Sequence, residues 1–209
     1  MSFHPVMAYG EGHHRSARTL VEPGPPFEFT PENRERFERV AARYPPERRR
    51  SAILPALYLA QRQQGYITAN AMRHVASVIG CSAAEVEDVV SFYTMFYTKP
   101  VGKYVLQVCR TLSCALLGAE RVTASLAETL GLKPGETDAA GAFTLLEVEC
   151  LGACDRAPLV MVNNAWHERL GPEDAARLVE RLRAEGETAI SGCHLAIERP
   201  DGSDRGGGR

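Results

Sequence analysis

Two cysteine-bearing segments decide the fold of the second half of the chain: YVLQVCRTLSC at 104–114 and FTLLEVECLGAC at 143–154. Each begins with a mostly apolar run, which predicts strands over 104–108 and 143–149. A loop with two cysteines follows each strand, and the ligand sites of α/β proteins gather in loops at strand ends. If the two strands are neighbours, four sulfurs converge on one point, those of Cys109, Cys114, Cys150 and Cys154.

The spacing within each cysteine pair bears on which metal these sulfurs would bind. Four thiolates at one point require a cation, because their like charges otherwise repel. The loops have four and three residues between their cysteines, which leaves room to wrap a binuclear iron–sulfur core. Structural zinc more often uses C-x-x-C, and lack of that motif also argues against a thioredoxin-type reductase. Iron–sulfur is favoured, with zinc, redox-active thiols and structural thiols left open.

The elements around the two segments predict a small mixed sheet. Further strands are expected at 159–162 and 165–169, joined by a tight turn at Asn163-Asn164. A helix is expected over 116–130, and a last helix begins at Gly171-Pro172. The order β-α-β-β-β-α is compatible with a thioredoxin-like fold, for which we expect a domain over 99–186.

The first half of the chain has helical periodicity and capping signals. Four short amphipathic helices are predicted, and together they make a small bundle over 30–98. The first is capped by Thr30, the second covers 49–63 with Pro55 near its first turns, and the third runs from Thr68 to Gly80. The fourth opens with the capping box Ser82-x-x-Glu85. Proline, glycine and polar residues predict a flexible arm at 1–29 and a flexible tail at 187–209.

The composition excludes several functional classes. Among 209 residues, 44% are apolar and 24% are charged, and the net charge is −2. Such a balance provides no broad basic surface for nucleic acid. The sequence has no apolar run of about 18 residues, so we expect no membrane span. Its six cysteines are too few for a small disulfide-stapled scaffold.

Residues 1–29 predict a cytoplasmic address. They contain no apolar core of a secretory signal, and their acidic residues disfavour a mitochondrial presequence. Cysteines in a reducing cytoplasm are more often metal ligands or catalytic groups than halves of disulfides.

Other noticeable residues receive structural interpretations. Cys81 is expected to be a small hydrophobe and Cys193 a structural or tail thiol. Arginines between residues 34 and 50 are interpreted as a solvated helix face, with docking of an acidic partner as the less favoured alternative: Arg34, Arg36, Arg39, Arg43, Arg48, Arg49 and Arg50. Residues 130–155 carry five acids against one lysine, which should lower the potential of a redox centre there. No phosphate-binding glycine motif is present, so the chain has no visible nucleotide site of its own and should not be catalytic alone.

Six stretches of the chain resemble one known family. They are AILPAL at 52–57, QGYI at 64–67, VSFY at 90–93, GKY at 102–104, VCRTLSC at 108–114 and VECLGACDRAP at 148–158. They look like the NuoE family, the thioredoxin-like 2Fe-2S subunit of respiratory complex I. The resemblance implies an α+β protein in which a small helical bundle precedes a thioredoxin-like α/β ferredoxin domain. It also implies that the 2Fe-2S ligands are Cys109, Cys114, Cys150 and Cys154.

The resemblance further implies a function and partners. We expect a one-electron carrier of an NADH:quinone oxidoreductase, next to the flavin-containing NADH-binding subunit and further iron–sulfur subunits. It would lie on the cytoplasmic peripheral arm of a membrane-associated complex. The alternative is the equivalent subunit of an NAD-dependent formate dehydrogenase or an NAD-reducing hydrogenase. An alternative of another class is a non-redox adaptor stapled by zinc.

Overall fold

The computed structural model describes residues 21–190, together with the backbone of residues 193 and 194. The chain divides into two compact units, and the division falls between Val101 and Gly102. Among the described residues, no helix combines the length and the apolar character needed to span a bilayer.

The first unit consists of short helices. Four α-helices and one 3-10 helix are present among its described residues: α1 (Pro31–Ala41), a 3-10 helix (Pro46–Ala52), α2 (Ile53–Gln64), α3 (Ala69–Ile79) and α4 (Ala83–Phe92). The predicted caps are confirmed, since Thr30 Oγ1 accepts a hydrogen bond from the N–H of Asn33 at 3.2 Å. At the start of α4, Ser82 and Glu85 form the reciprocal capping box.

The second predicted helix begins later than expected. Residues 46–52 form the 3-10 helix, and the α-helix starts only at Ile53. Pro55 therefore lies in the first turn of α2, where the N–H that proline lacks would have had no intrahelical partner.

Residues 21–29 do not behave as the flexible arm predicted for 1–29. Phe27 and Phe29 are buried in the core of the first unit, and the N–H of Phe29 donates to His74 Nε2 at 3.1 Å. The side-chain amide of Gln63 donates to the carbonyl of Glu28 at 2.7 Å. The prediction is wrong for this stretch because the two phenylalanines bury against the helices. Residues 1–20 lie outside the described part of the chain.

The second unit is a mixed sheet with helices. Its elements are β1 (Tyr104–Cys109), α5 (Leu112–Leu116), α6 (Ala119–Leu130), β2 (Phe143–Val148), a 3-10 helix (Cys154–Arg156), β3 (Leu159–Val162), β4 (Ala165–Glu168), α7 (Pro172–Glu185), a 3-10 helix (Gly186–Ala189) and β5 (Cys193–His194). The strand order is β2-β1-β3-β4-β5. Strands β1 and β2 are parallel, and the other neighbours are antiparallel. An α+β architecture is therefore confirmed.

Two details of this unit differ from the prediction. The helix expected over 116–130 begins only at Ala119, because Gly118 before it has a left-handed φ of 96°, and a separate short helix, α5, covers Leu112–Leu116. The segment expected as a tail from residue 187 contains structure, since Gly186–Ala189 is a 3-10 helix with a fully buried Ala189 and Cys193–His194 pairs with β4. A strand of two residues is too short for a periodic signal.

The segment before β2 folds back on the outer edge of that strand. The N–H of Gly135 donates to the carbonyl of Leu145 at 2.7 Å, and the N–H of Leu145 donates to the carbonyl of Glu136 at 3.1 Å. Asp138 continues this pairing through its own N–H, which donates to the carbonyl of Phe143 at 3.0 Å. The first half of β2 therefore has hydrogen-bonded neighbours on both sides.

Candidate metal centre

The register of β1 and β2 brings the two cysteine loops to one edge of the sheet. Cys109, the last residue of β1, is the partner of Val148, the last residue of β2. The N–H of Arg110 then donates to the carbonyl of Val148 at 3.0 Å. Because the strands are parallel, both loops leave in the same direction. The neighbouring strands required for convergence of the cysteines are therefore present.

The first loop holds its cysteines inside the protein. Cys109 and Cys114 are each only 2% exposed. Thr111 is the N-cap residue of α5, and its Oγ1 lies 3.3 Å from Cys109 Sγ. Cys114 lies on α5, whose packing fixes the position of its thiol.

The second loop presents its cysteines at the surface. Cys150 and Cys154 are exposed free thiols, and their Sγ atoms are 3.4 Å apart. Gly152 between them has a left-handed φ of 85° and open space where a Cβ would be. Its N–H donates to Cys150 Sγ at 3.4 Å, so the backbone of this loop turns toward the sulfur.

The two loops are in contact with each other. Helix α5 packs against the 3-10 helix Cys154–Arg156. The hydroxyl groups of Thr111 and Ser113 in the first loop influence the pKa values of Cys150 and Cys154 in the second. Hydroxyl and amide donors beside sulfur stabilise its negative charge.

The pKa values of the thiols differ because their surroundings differ. Burial, assisted by a hydrogen bond with Cys109, raises the pKa of Cys114 to about 12. The N–H of Gly152 lowers the pKa of Cys150, whereas the hydrogen bond with Cys150 and the charge of that thiol raise the pKa of Cys154. The charge of Cys109 also raises the pKa of Cys154, so thiols of both loops interact. A cationic core would allow all four to ionise.

The donor set suits a binuclear iron–sulfur core. Such a core is held by cysteine thiolates, and here two pairs stand on adjacent loops. Over residues 21–190, no group of three or more His, Cys, Asp or Glu side chains is arranged to hold a single metal ion.

Two features of the site were not found by sequence reasoning. Arg110 and Glu149, which flank ligand candidates on different loops, form an ion pair with 2.7 Å between Nη2 and Oε1. Around Cys114, three leucines are unusually exposed, Leu112 by 75%, Leu116 by 78% and Leu117 by 57%. Helix α5, with five residues, is too short for a periodic signal that would indicate these leucines.

The other two cysteines lie apart from the loops. Cys81 follows α3 in the first unit, where it packs against the helical core, and burial raises the pKa of its thiol. Cys193 contributes backbone to β5, and its side chain lies outside the described part of the structure.

Comparison with known proteins shows the family of the chain. The family model of the thioredoxin-like [2Fe-2S] ferredoxin matches residues 37–183. An NADH-quinone oxidoreductase subunit of Rhizobium meliloti (strain 1021) is 46% identical over 154 residues, which are 72% of this chain and 89% of that protein. NADH-quinone oxidoreductase subunit 2 of Thermus thermophilus is 44% identical over 136 residues, which are 65% of this chain and 75% of that protein.

A solved structure supports the fold. An NAD+-reducing [NiFe]-hydrogenase in the H2-reduced state superposes with a TM-score of 0.56 at 18% identity, over 69% of this chain and 26% of the hydrogenase chain. This likeness concerns architecture alone. With the family model, it confirms the expected thioredoxin-like fold, and the family model confirms the expected 2Fe-2S cofactor. The chain belongs to the thioredoxin-like [2Fe-2S] ferredoxins.

Proposed function

We propose that this chain is the one-electron carrier of an NADH:quinone oxidoreductase, with its 2Fe-2S cluster held by Cys109, Cys114, Cys150 and Cys154. The observation that carries the ligand assignment is the parallel register of β1 and β2, which brings both cysteine loops to one edge of the sheet. The relatives named as NADH-quinone oxidoreductase subunits support the parent enzyme.

The residues of the two loops have different tasks in this role. Cys109 and Cys114 would hold the cluster from the protein interior, where their thiols are shielded from water. Cys150 and Cys154 would hold it from an exposed loop. When bound, the cluster accepts and returns one electron at a time. The chain supplies the site and its electrostatic surroundings, and no catalytic side chain is needed.

The partner that we propose is the flavin-containing NADH-binding subunit of the same complex, with further iron–sulfur subunits downstream. The leucine face (Leu112, Leu116 and Leu117) supports a docking surface beside the first loop, because three exposed leucines within six residues are costly in water. Glu149 and Asp155 are exposed near the second loop and favour a basic rim on the partner. Docking here would place the cluster close to the partner's redox group.

The location that we propose is the peripheral arm of the complex, on its cytoplasmic side. Relatives of the chain are subunits of respiratory NADH-quinone oxidoreductases. A reducing compartment also keeps four unbridged thiols available for iron.

The experiment that tests the cofactor site uses the full chain, expressed and purified without oxygen. We expect two irons and two sulfides per chain and, after reduction with dithionite, a rhombic spin-half EPR signal. Replacement of any one of the four ligand cysteines by Ala should remove or badly damage the signal, whereas Cys81→Ala and Cys193→Ala should leave it unchanged. A colourless protein with one zinc per chain would support the zinc-stapled adaptor instead.

A further inference from the structure

An ion pair joins the two cysteine loops near the residues at which they leave β1 and β2. Arg110 directly follows Cys109, and Glu149 directly precedes Cys150. The Nε and Nη2 atoms of Arg110 both donate to Glu149 Oε1, at 3.1 and 2.7 Å. The pair therefore connects the residues next to one ligand candidate of each loop.

The two members of this pair differ in burial. The side chain of Arg110 is 16% exposed, and that of Glu149 is 68% exposed. The other basic side chains in the ion pairs described for the second unit are much more exposed, between 47% and 64%. A positive charge is thus held inside the protein at the edge of the site, while its counter-charge faces water.

The charged residues of the 3-10 helix that ends the second loop form ion pairs of their own. Arg156 interacts with Glu168 at 2.8 Å and with Asp155 at 3.5 Å. Arg110 and Glu149 connect the first loop to the second through their side chains, and the N–H of Arg110 also donates to the carbonyl of Val148, the residue before Glu149.

We propose that Arg110 and Glu149 are positioning residues that clamp the two ligand loops together, and that the buried guanidinium raises the reduction potential of the cluster. This inference rests on the proposed function, because it assumes Cys109 and Cys150 as ligands. It assigns to this chain a tuning device that opposes the acidic surroundings of the loops.

The charge effect follows from electrostatics. One electron from a reductant adds one negative charge to the cluster site, and no bond forms or breaks. A nearby cation stabilises that added charge, and a nearby anion destabilises it. Water screens an exposed charge more than a buried one, so Arg110 should influence the potential more than Glu149 does.

The test is a redox titration of the full-length, cluster-loaded protein, followed by EPR. At fixed ambient potential, Arg110→Gln should lower the ratio of reduced to oxidised cluster three- to tenfold, where tenfold corresponds to about 59 mV for one electron. Glu149→Gln should raise that ratio, by a smaller factor. Arg110→Lys retains the charge without the two-nitrogen contact and should stay within twofold of the wild-type ratio.

The clamp is measured separately, as the rate at which a chelator removes iron. Arg110→Gln, Arg110→Lys and Glu149→Gln should each lose iron several-fold faster than the wild type. Arg110→Lys should behave like Arg110→Gln in this assay and like the wild type in the titration, so the two measurements separate the two roles of Arg110.

A matched control is the pair Arg181–Glu185 on α7, with 3.2 Å between Nη2 and Oε2. The end of α7 lies at the opposite end of the sheet, since the guanidinium of Arg183 lies over the ring of Phe143 at the start of β2. Arg181→Gln and Glu185→Gln change the net charge by the same amount. They should alter neither the titration nor the rate of iron loss.

Definite results would overturn each part of the inference. Shifts of the same sign in Arg110→Gln and Glu149→Gln, or a shift no larger than that of Arg181→Gln, would refute the charge role. Iron loss at the wild-type rate in all three variants would refute the clamp. If Arg110→Gln does not retain iron, two other results test the charge role. They are the sign of the shift in Glu149→Gln and the ratio of reduced to oxidised cluster in Arg110→Lys. Failure of the proposed function is distinguishable, because wild-type protein would then contain no 2Fe-2S cluster.

Discussion

Both cysteine loops leave the sheet at the end where β1 and β2 finish, yet one loop buries its thiols and the other exposes them. Cys109 and Cys114 are buried, whereas Cys150 and Cys154 are exposed. The strand order explains this difference in burial. Strand β1 lies between β2 and β3, whereas β2 is a lateral edge strand of the sheet. The first loop continues a central strand into a helix, and the second continues an edge strand into a turn. The packing of the domain therefore positions the first pair of thiols, whereas the second pair lies on a surface loop.

The largest effects should come from the cysteines themselves, and they should distinguish the loops. Cys114→Ala and Cys154→Ala should both abolish the cluster. Only Cys114→Ala should also destabilise the metal-free protein, by about 1 kcal/mol, because it removes a buried sulfur. Urea unfolding of both metal-free variants measures this difference. Equal stabilities would show that the buried loop is not already packed before the cluster binds.

The next largest effect concerns the start of β1 and β2, at the end of the sheet opposite the cysteine loops. A Cβ on Gly102 would lie 2.6–2.8 Å from backbone atoms of Phe143, so Gly102→Ala must push β1 and β2 apart. We expect a loss of roughly 2–3 kcal/mol in the free energy of unfolding. Gly141→Ala is the control, because its Cβ meets no atom within 4 Å and only its left-handed φ of 65° is strained, at about 1 kcal/mol. Thermal unfolding of the two variants provides the comparison, and equal losses would contradict the close approach.

A smaller effect tests the leucine face beside the buried loop. Leu116→Glu should weaken binding to the flavin-containing subunit about tenfold, since a carboxylate would be buried in an apolar contact. Leu116→Met retains an apolar side chain and should bind nearly as the wild type does. Calorimetric titration gives both affinities, and the EPR signal should be unchanged in both. Unaltered binding of Leu116→Glu would remove this face from the interface.

The smallest effect concerns the order in which the thiols react. In metal-free protein the N–H of Gly152 lowers the pKa of Cys150, whereas burial raises that of Cys114 to about 12. A lowered pKa gives more thiolate at neutral pH, and thiolate is the form that reacts. Iodoacetamide should therefore modify Cys150 first and Cys114 last, and the rate at Cys150 should level off at lower pH. Mass spectrometry of peptides reports the order, and faster modification of Cys114 would contradict it.

The sequence predicted the strands and cysteine loops of the site better than the contacts around them. Apolar runs ending in paired cysteines identified β1, β2 and both loops, because strand periodicity and ligand spacing are local signals. Gly118 was missed as a helix break because the residues on both sides of it continue a helical pattern. The ion pair of Arg110 with Glu149 joins residues 39 positions apart, and only the register of two strands brings them together. Burial of Phe27 and Phe29 likewise depends on tertiary packing rather than on periodicity.

The segment that folds back on β2 has a consequence for chains that have not yet received iron. An open strand edge is a template on which a second copy can add its own strand, and this leads to aggregation. Gly135, Glu136 and Asp138 use the backbone groups of Phe143 and Leu145, so these residues cannot recruit another chain. The remaining open edge next to the second loop carries the charge of Glu147, which repels such stacking. Strand β2 can therefore end in an exposed ligand loop without making the metal-free protein prone to aggregate.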